Sequence, residues 1–334
     1  MNRITRRAAL LAPAALAAPL ASPAFAQSGT GSGWNPTRPI TMVVGFPPGG
    51  QTDFAARVVQ NGMQAALGVP VTIDNRGGAG GNLGTEQVMR ARPDGYTILA
   101  GNLAHMAINP HTMEGMTIDP REMAPIGLAL QSSLILGAHP SMNVGNLEEL
   151  RAWIARQPRG SINYGSASAG SLTHVAMELF RQRLGNPDMT HVPYRGSGPA
   201  MTDFIAGRFN LMFDGASVIA PFIQANQLRG VLATGATPSP VFPNIRTAAQ
   251  QGIRDFEFYS WIGLFAPRGT PPEAITRLNA ALNAALADPA TRERMTSRGD
   301  EPGGGTAQQM AAMMTADYER WGRVARENNI RAEG

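Results

Sequence analysis

An α/β architecture, with two sheets covered by helices and a cleft between two lobes, is what the sequence predicts, and three observations predict it. Short apolar runs alternate with helical stretches along the whole chain, the pattern of parallel strands joined by crossover helices. Two apolar runs, Ile126 to Ala138 and Phe256 to Ala266, are unusually long; a strand that leaves one sheet to join another would look like this, and two such crossings make one lobe discontinuous. Turns of glycine and small hydroxyl residues follow several strands, at the edge where open α/β sheets hold ligands.

Before the first strand, Met1 to Ala26 carries Arg3, Arg6 and Arg7 and no acid, then an apolar run from Ala8 to Leu20 and a small-x-small site at Ala24-Phe25-Ala26. These are the parts of a cleavable export signal. Pro13 and Pro19 interrupt an apolar run already too short to span a bilayer comfortably, and Thr5-Arg6-Arg7 also fits a twin-arginine signal. Residues 27–37, rich in Ser, Gly and Thr, read as a disordered lead-in. The mature protein is therefore expected outside the cytoplasm, with cleavage after Ala26.

The strands expected next are Ile40 to Phe46, Val71 to Asn75, Thr97 to Ala100, Ile126 to Ala138, Ser161 to Tyr164, Met189 to Val192, Leu211 to Phe213, Arg229 to Thr234 and Phe256 to Ala266. Helices are expected over Asp53 to Leu67, Leu83 to Ala91, Leu147 to Gln157, Ser171 to Arg183, Pro199 to Ala206, Ala216 to Ala225, Pro272 to Ala287 and Thr306 to Glu327. Thr52 or Asp53 supplies an N-cap for the first helix, and Glu148-Glu149 sits where acids complement a helix dipole.

Composition excludes several classes of function. All 28 basic residues are arginine, and removing the signal takes three of them, so the formal charge falls from +4 to +1. A nearly neutral chain with 16% charged residues and no basic cluster is not a nucleic-acid binder. There is no cysteine, so stability must come from packing, and just over 300 residues suffice for two cores. The five histidines, His105, His111, His139, His174 and His191, show no short-spaced metal-ligand pair; neither a metal nor a cofactor is expected.

Three turns carry the candidate chemistry. Pro47-Pro48-Gly49-Gly50-Gln51-Thr52-Asp53 joins a strand to a helix and offers free N–H groups backed by a helix dipole. A phosphate-binding loop would end in Gly-Lys-Ser/Thr; with no lysine in the chain, the expected anion is a carboxylate, and a plain helix cap is the other reading. Asn75 to Gly84 begins like a dinucleotide fingerprint at Gly78 and Gly80, but Leu83 stands in the third glycine's place and no acid closes a strand about 20 residues on. Tyr164-Gly165-Ser166-Ala167-Ser168-Ala169-Gly170-Ser171 is a second anion-binding turn. It also nearly spells the hydrolase elbow Gly-x-Ser-x-Gly. That reading makes Ser168 a nucleophile with His174 or His191 as base and Asp203 or Asp214 as orienting acid, although no histidine follows the acid in the usual chain order.

Phe46-Pro-Pro-Gly-Gly-Gln-Thr-Asp53-Phe-Ala-Ala-Arg57, Asp74-Asn-Arg-Gly-Gly-Ala-Gly-Gly81-Asn-Leu-Gly84 and Pro93-Asp-Gly-Tyr-Thr97 resemble first-lobe signatures of the Bug family, the periplasmic substrate-binding receptors of tripartite tricarboxylate transporters. The likeness continues through Tyr164-Gly-Ser to Gly170-Ser171 and His174, His191-Val-Pro-Tyr194-Arg-Gly196, Met212-Phe-Asp214, Trp261-Ile-Gly-Leu-Phe-Ala-Pro267, Gly299, Pro302 and Glu319-Arg-Trp321. It covers essentially the whole mature chain.

The resemblance implies a type II periplasmic-binding-protein (Venus flytrap) fold. Lobe 1 would comprise residues 38–133 and 258–334, lobe 2 residues 134–257, with hinges near residues 130–137 and 257–264. It implies a non-enzymatic receptor for a di- or tricarboxylate or an aromatic carboxylate, monomeric and docking on the membrane subunits of a tripartite transporter. Carried over residue by residue, Gly49, Gly50 and Asp53 form one jaw and Ser166, Gly170 and Ser171 the other. Phe46, Asn102 and Leu103 line the wall, Asp214 stands at the rim of lobe 2, and His174 fixes the second jaw. Ser168 stands where the family favours glycine, adding a side chain to the cleft, and Arg195 where lysine is common. The apolar Phe46 and Leu103 favour a ligand with a hydrophobic or aromatic body.

Overall fold

A computed structural model of the chain describes residues 33–331, apart from 114, 115, 117 and 329. The expected export signal, residues 1–26, and residues 27–32 of the lead-in lie outside the described residues.

In chain order the elements are β1 (Ile40–Val44), α1 (Gln51–Leu67), β2 (Val71–Asn75), α2 (Asn82–Met89), β3 (Thr97–Asn102), a π-helical turn (Ala104–Ile108) running into α3 (Asn109–Thr112), and β4 (Ala124–Ala138). There follow α4 (Leu147–Ile154), β5 (Ile162–Ser166), α5 (Leu172–Arg183), β6 (Met189–Pro193), α6 (Ser197–Ile205), β7 (Leu211–Gly215), α7 (Ala216–Gln224) and β8 (Arg229–Ala233). The chain closes with β9 (Tyr259–Ala266), α8 (Pro272–Ala287), α9 (Pro289–Thr296), β10 (Glu301–Gly304) and α10 (Ala307–Glu327). Local chemistry sets the boundaries. Gly68, left-handed at φ 74°, ends α1; Asn146 caps α4 through the Glu149 N–H; Thr306 and Gln309 form a reciprocal capping box at the start of α10.

β4 organises the sheet. Its first part, Ala124 to Ser133, pairs antiparallel with β9, and Leu128 to Gln131 pair with β10 on the other side. From Leu134 to Ala138 the same strand pairs instead with β7 and β8. On one side the order runs β2-β1-β3-β9-β4, with β1 parallel to β2 and β3; on the other it runs β4-β7-β5-β6, with β5 parallel to both neighbours. The two halves are thus covalently and hydrogen-bond continuous at Ser133-Leu134. The parallel strands β1, β3, β5 and β7 all feed their carboxyl ends toward this junction region, each followed by a loop and a helix start.

The second long apolar run behaves differently from the expectation. Phe256, Glu257 and Phe258 fall outside β9, which begins at Tyr259. Phe256 and Phe258 are buried by aromatic packing, the first against Phe180 and Phe213 and the second against Trp321. An apolar run reports burial and does not by itself distinguish a strand from a buried irregular segment. The chain is still held here by the residue that follows β8, since the Phe258 N–H donates to Thr234 O and the Thr234 hydroxyl to Phe258 O. The helix α9 and the strand β10 were not foreseen; Asp288 caps α9 and Pro289 begins it, so one helical run is split where the sequence reading stopped.

Buried side chains form one apolar cluster on the α1 and α8 face of the first half, a second around α6 and α7, and a third that runs from Val43 and Leu99 through Leu134 and Leu136 to Trp321. The third cluster gives the two halves a shared apolar backing. Close approach of α1 to α8 depends on Gly62: a Cβ there would lie 2.6 Å from Ala285 Cβ and 2.7 Å from its Cα. Gly62→Val should therefore lower the unfolding free energy by about 1–3 kcal/mol through overpacking, despite a few tenths gained in helix propensity. Urea titration at matched m-value checks this; an unchanged or higher midpoint would show that the two helices can separate freely.

Candidate functional site

The carboxyl ends of β1, β3, β5 and β7 surround a cavity lined by Phe46, Gly50, Gln51, Thr52, Asn102, Ala104, Leu134, Ala167, Ser171, Leu172, Thr173, Ser197, Asp214, Gly215 and Ser260. The space open to the centre of a water molecule is ≈ 50 Å³, room for a few waters at roughly 10–15 Å³ each. None of the lining residues is basic. Outward, past Phe46 and Ala167, it continues into a wider vestibule of ≈ 820 Å³ by the same measure, lined by Pro47, Pro48, the Gly77 to Gly81 loop, Met113, Ser168, Tyr194 and Arg195 among others.

On one side the turn before α1 is held open from behind. Gly49, at φ 94°, donates its N–H to Asp53 Oδ2 at 3.0 Å. Arg57 Nε contacts both Asp53 oxygens at 3.0 Å, and Asn75 Nδ2 donates to Oδ1 at 3.0 Å and to Phe46 O at 2.9 Å. Burial pushes the Asp53 carboxyl up, but Arg57, the Gly49 N–H and Asn75 outweigh it and hold the group below the usual carboxylate range. With its oxygens occupied, Asp53 shapes the turn and does not line the cavity, a correction to its expected place in the jaw. The groups that do face inward are Gly50, Gln51 and Thr52, whose first-turn N–H groups have no intrahelical carbonyl to bind.

On the facing side the Ser166 to Ser171 loop is knitted by its own hydroxyls. Ser171 caps α5, donating to Ser168 O at 2.6 Å and accepting from the Ser168 and His174 N–H groups at 3.2 and 3.4 Å. Thr173 Oγ1 accepts from the Ala167 N–H at 2.9 Å. Gly170, left-handed at φ 73°, donates to His174 Nδ1 at 3.1 Å, which fits a role for His174 in fixing this loop. Ser166 is fully buried behind it, and neither it nor Gly170 lines the cavity. Ser171, Leu172 and Thr173 do. Ser168 faces the vestibule, its hydroxyl without a hydrogen-bond partner.

The wall is set by Asn102, whose Oδ1 accepts from the Ala104 N–H at 2.9 Å and whose Nδ2 donates to Thr52 Oγ1 at 3.2 Å. Behind it His105 accepts the Asn102 N–H and contacts Thr85 at 3.1 Å; burial lowers its pKa to about 4, so it is neutral. Leu103 is not part of the wall. It is 1% exposed and packed in the apolar core just before the π-helical turn, and Ala104 lines the cavity in its stead. Phe46 stays on the cavity, edge-on to the His105 ring.

A third helix start completes the enclosure and was not singled out from sequence. Gly196, at φ 137°, leads into α6, and Ser197 stands opposite Gly50: a Cβ on Gly50 would lie 3.7 Å from Ser197 Cβ. Gly198 approaches Pro48 so closely that a Cβ there would meet Pro48 O at 2.8 Å. The signal was present in Arg195-Gly196-Ser197-Gly198-Pro199, a third strand-to-helix turn of small residues. Asp214, at the end of β7, is 2% exposed. Its Oδ1 accepts from the Gly215 N–H at 2.8 Å while Oδ2 has no partner.

A model of the family described as tripartite tricarboxylate transporter family receptor matches residues 55–330. The chain belongs to that family. Among solved structures, the periplasmic binding protein BugD superposes with a TM-score of 0.84 at 30% identity, covering 89% of this chain and 99% of BugD. MatC (Rpa3494) from Rhodopseudomonas palustris, with bound malate, gives 0.82 at 30% identity over 86% of this chain and 99% of MatC. R. palustris Rpa4515 with adipate gives 0.85 at 33% identity over 89% and 99%.

The receptor's geometry does not assemble the hydrolase constellation. No histidine contacts the Ser168 hydroxyl. His191 Nε2 lies 2.7 Å from Ser166 Oγ, which also donates to Ser168 O at 3.0 Å; a carbonyl only accepts, so the hydroxyl's single proton goes there and His191 supplies the other. His174 is taken by Gly170, and Asp203 accepts the Tyr194 hydroxyl at 2.8 Å.

His174 and His191 stack at 4.0 Å between ring centroids, and burial with the neighbouring His174 lowers His191 to about 4. An unfolded histidine titrates near 6.5, so this pair's support for the second loop is fully present above about pH 6.5 and lost as the pH falls toward 4. Asp214 and Asp300, raised by burial to about 7 and about 6, contribute in the opposite sense over the same range. The stability difference between wild type and His191→Asn isolates the histidine and should shrink on acidification from pH 6.5 to 4. A pH-independent difference in thermal midpoints would contradict it.

Proposed function

We propose that the protein is an exported receptor that captures a small carboxylate between two lobes and delivers it to the membrane subunits of a tripartite transporter. The observation that carries this is the convergence of the first turns of α1, α5 and α6 on a cavity without a basic side chain. Unpaired N–H groups with the positive ends of helix dipoles behind them bind anions, and a nest of such groups needs neither lysine nor arginine. Malate in MatC and adipate in Rpa4515 support dicarboxylates as the ligand class here.

In this reading the lobes are residues 38–133 with 258–334 and residues 134–257, hinged where β4 changes partners between Ser133 and Leu134. Gly50, Gln51 and Thr52 grip from the first lobe, Ser171 to Thr173 and Ser197 from the second. The contacts of Pro48 and Gly50 with Gly198 and Ser197 support a closed arrangement. Closure would draw on ligand contacts to both sides, since a ligand shifts an equilibrium only through differential affinity. Phe46 and the vestibule suit an apolar ligand body, with the carboxylate head inside. Export to the periplasm belongs to the same reading and is supported by the family membership; a monomeric state is part of the proposal.

A thermal-shift screen of mono-, di- and tricarboxylates and aromatic acids tests it, and at least one dicarboxylate should raise the melting temperature. Gly50→Val should weaken that ligand at least about tenfold, close to 1.4 kcal/mol, with little change in apo stability, because Cβ fits but the added methyls face Ser197. No response to any carboxylate, or unchanged affinity in the variant, would reject the assignment.

A further inference from the structure

The cavity holds a feature at odds with an anionic ligand. Asp214 contributes a carboxyl to its lining, and Oδ2 is buried without a hydrogen-bond partner. The Ser197 hydroxyl beside the carboxyl and the Gly215 N–H on Oδ1 compensate it only in part. Ile135 of β4 sits opposite in register; Gln51 and Thr52 of α1, Ser197 of α6 and Thr173 of α5 are neutral. The ionisable groups of the surrounding elements are already engaged: Asp53 with Arg57 on α1, Glu178 with Arg181 and neutral His174 on α5, and Asp203 with Tyr194 on α6. The start of α7 is taken by Ser132, which accepts the Ala216 N–H, and by Asp300, which accepts the Ser217 N–H. Asp300 therefore adds a second buried carboxyl on this side of the cavity and no cation.

The helix starts supply the positive potential, and their sum is limited. Each N-terminus is equivalent to roughly half a positive charge, so the three open ends of α1, α5 and α6 together offset about one and a half negative charges. The carboxylate head seated in the cavity brings one. An ionised Asp214 would be a second negative charge in a water-poor space, more than the helix ends offset, and a buried charge without a partner neutralises by binding a proton.

We propose that Asp214 is the proton-taking member of this site: when a dicarboxylate enters the cavity, the Asp214 carboxyl binds one proton and donates it in a hydrogen bond from Oδ2 to the bound anion. The inference rests on the carboxylate reading above. Burial already raises Asp214 to about 7 in the free site, even with the Ser197 hydroxyl and the Gly215 N–H pulling it down. The free site is thus largely ionised at pH 8 and the occupied one protonated. Ligand and proton are bound together, and the affinity falls with rising pH.

Isothermal titration of malate and adipate at pH 8, in phosphate and in Tris, measures the protons exchanged from the dependence of binding heat on buffer ionisation. Close to one proton should be taken up, and Kd should rise about tenfold per pH unit above pH 7. Asp214→Asn should abolish both effects, whereas Asp300→Asn should retain them. Should Asp214→Asn fail to fold, ligand-induced infrared absorption of a protonated carboxyl in the wild type at pH 8 gives the same answer. Dicarboxylate binding without proton uptake, or uptake that survives Asp214→Asn, overturns the proposal and leaves the receptor reading intact. Absence of binding by any carboxylate between pH 6 and 9 overturns both.

Discussion

The backbone N–H groups at the starts of α1, α5 and α6 are the constraint on which the rest depends. They are orphaned by helix geometry, and the fold brings them to one small cavity. Much of the surrounding sequence serves to keep them aimed. Asp53 is spent on Gly49, Arg57 and Asn75, Ser171 on the loop it caps, His174 on Gly170, and Asn102 on Thr52 and the turn after β3. These side chains reach backbone or one another and leave a lining of glycine, small hydroxyls, amides and apolar groups, with Asp214 its one ionisable side chain. That division explains how a chain without lysine, and with its arginines outside the lining, can offer an anion site.

A site built this way needs two halves that approach each other, and β4 supplies the joint. One continuous strand shares its hydrogen bonds with β9 and β10 before Ser133 and with β7 and β8 after it. A shared apolar cluster packs across the junction and reaches the cavity at Ala104, Leu134 and Leu172.

The sequence was most legible where strand, turn and helix follow one another without interruption. Val71–Asn75 and Pro272–Ala287 have the bounds that their patterns suggested, and the long run to Ala138 is the partner-changing strand. The turns at Gly49-Gly50 and Ser166 to Ser171 were found because glycine and small hydroxyls concentrate after apolar runs. What failed was direction. Asp53, Ser166 and Gly170 sit in those turns yet face away from the cavity, and Leu103 is buried in the core at the start of a π-helical turn that no periodicity announced. Ser197 and Thr173 were missed because their neighbours read as ordinary helix starts; only the topology shows that three such starts meet. Phe256 to Phe258 misled because buried Phe256, exposed Glu257 and buried Phe258 alternate as a strand would, although this segment lies outside β9.

A crystal structure of the protein saturated with adipate tests the central claim most directly. The account predicts one carboxylate within hydrogen-bond distance of the N–H groups of Gln51 or Thr52 on one side and of Leu172, Thr173 or Ser197 on the other, with no arginine touching it. A ligand held by arginine side chains in the vestibule, or gripped by only one of the two facing turns, would contradict it.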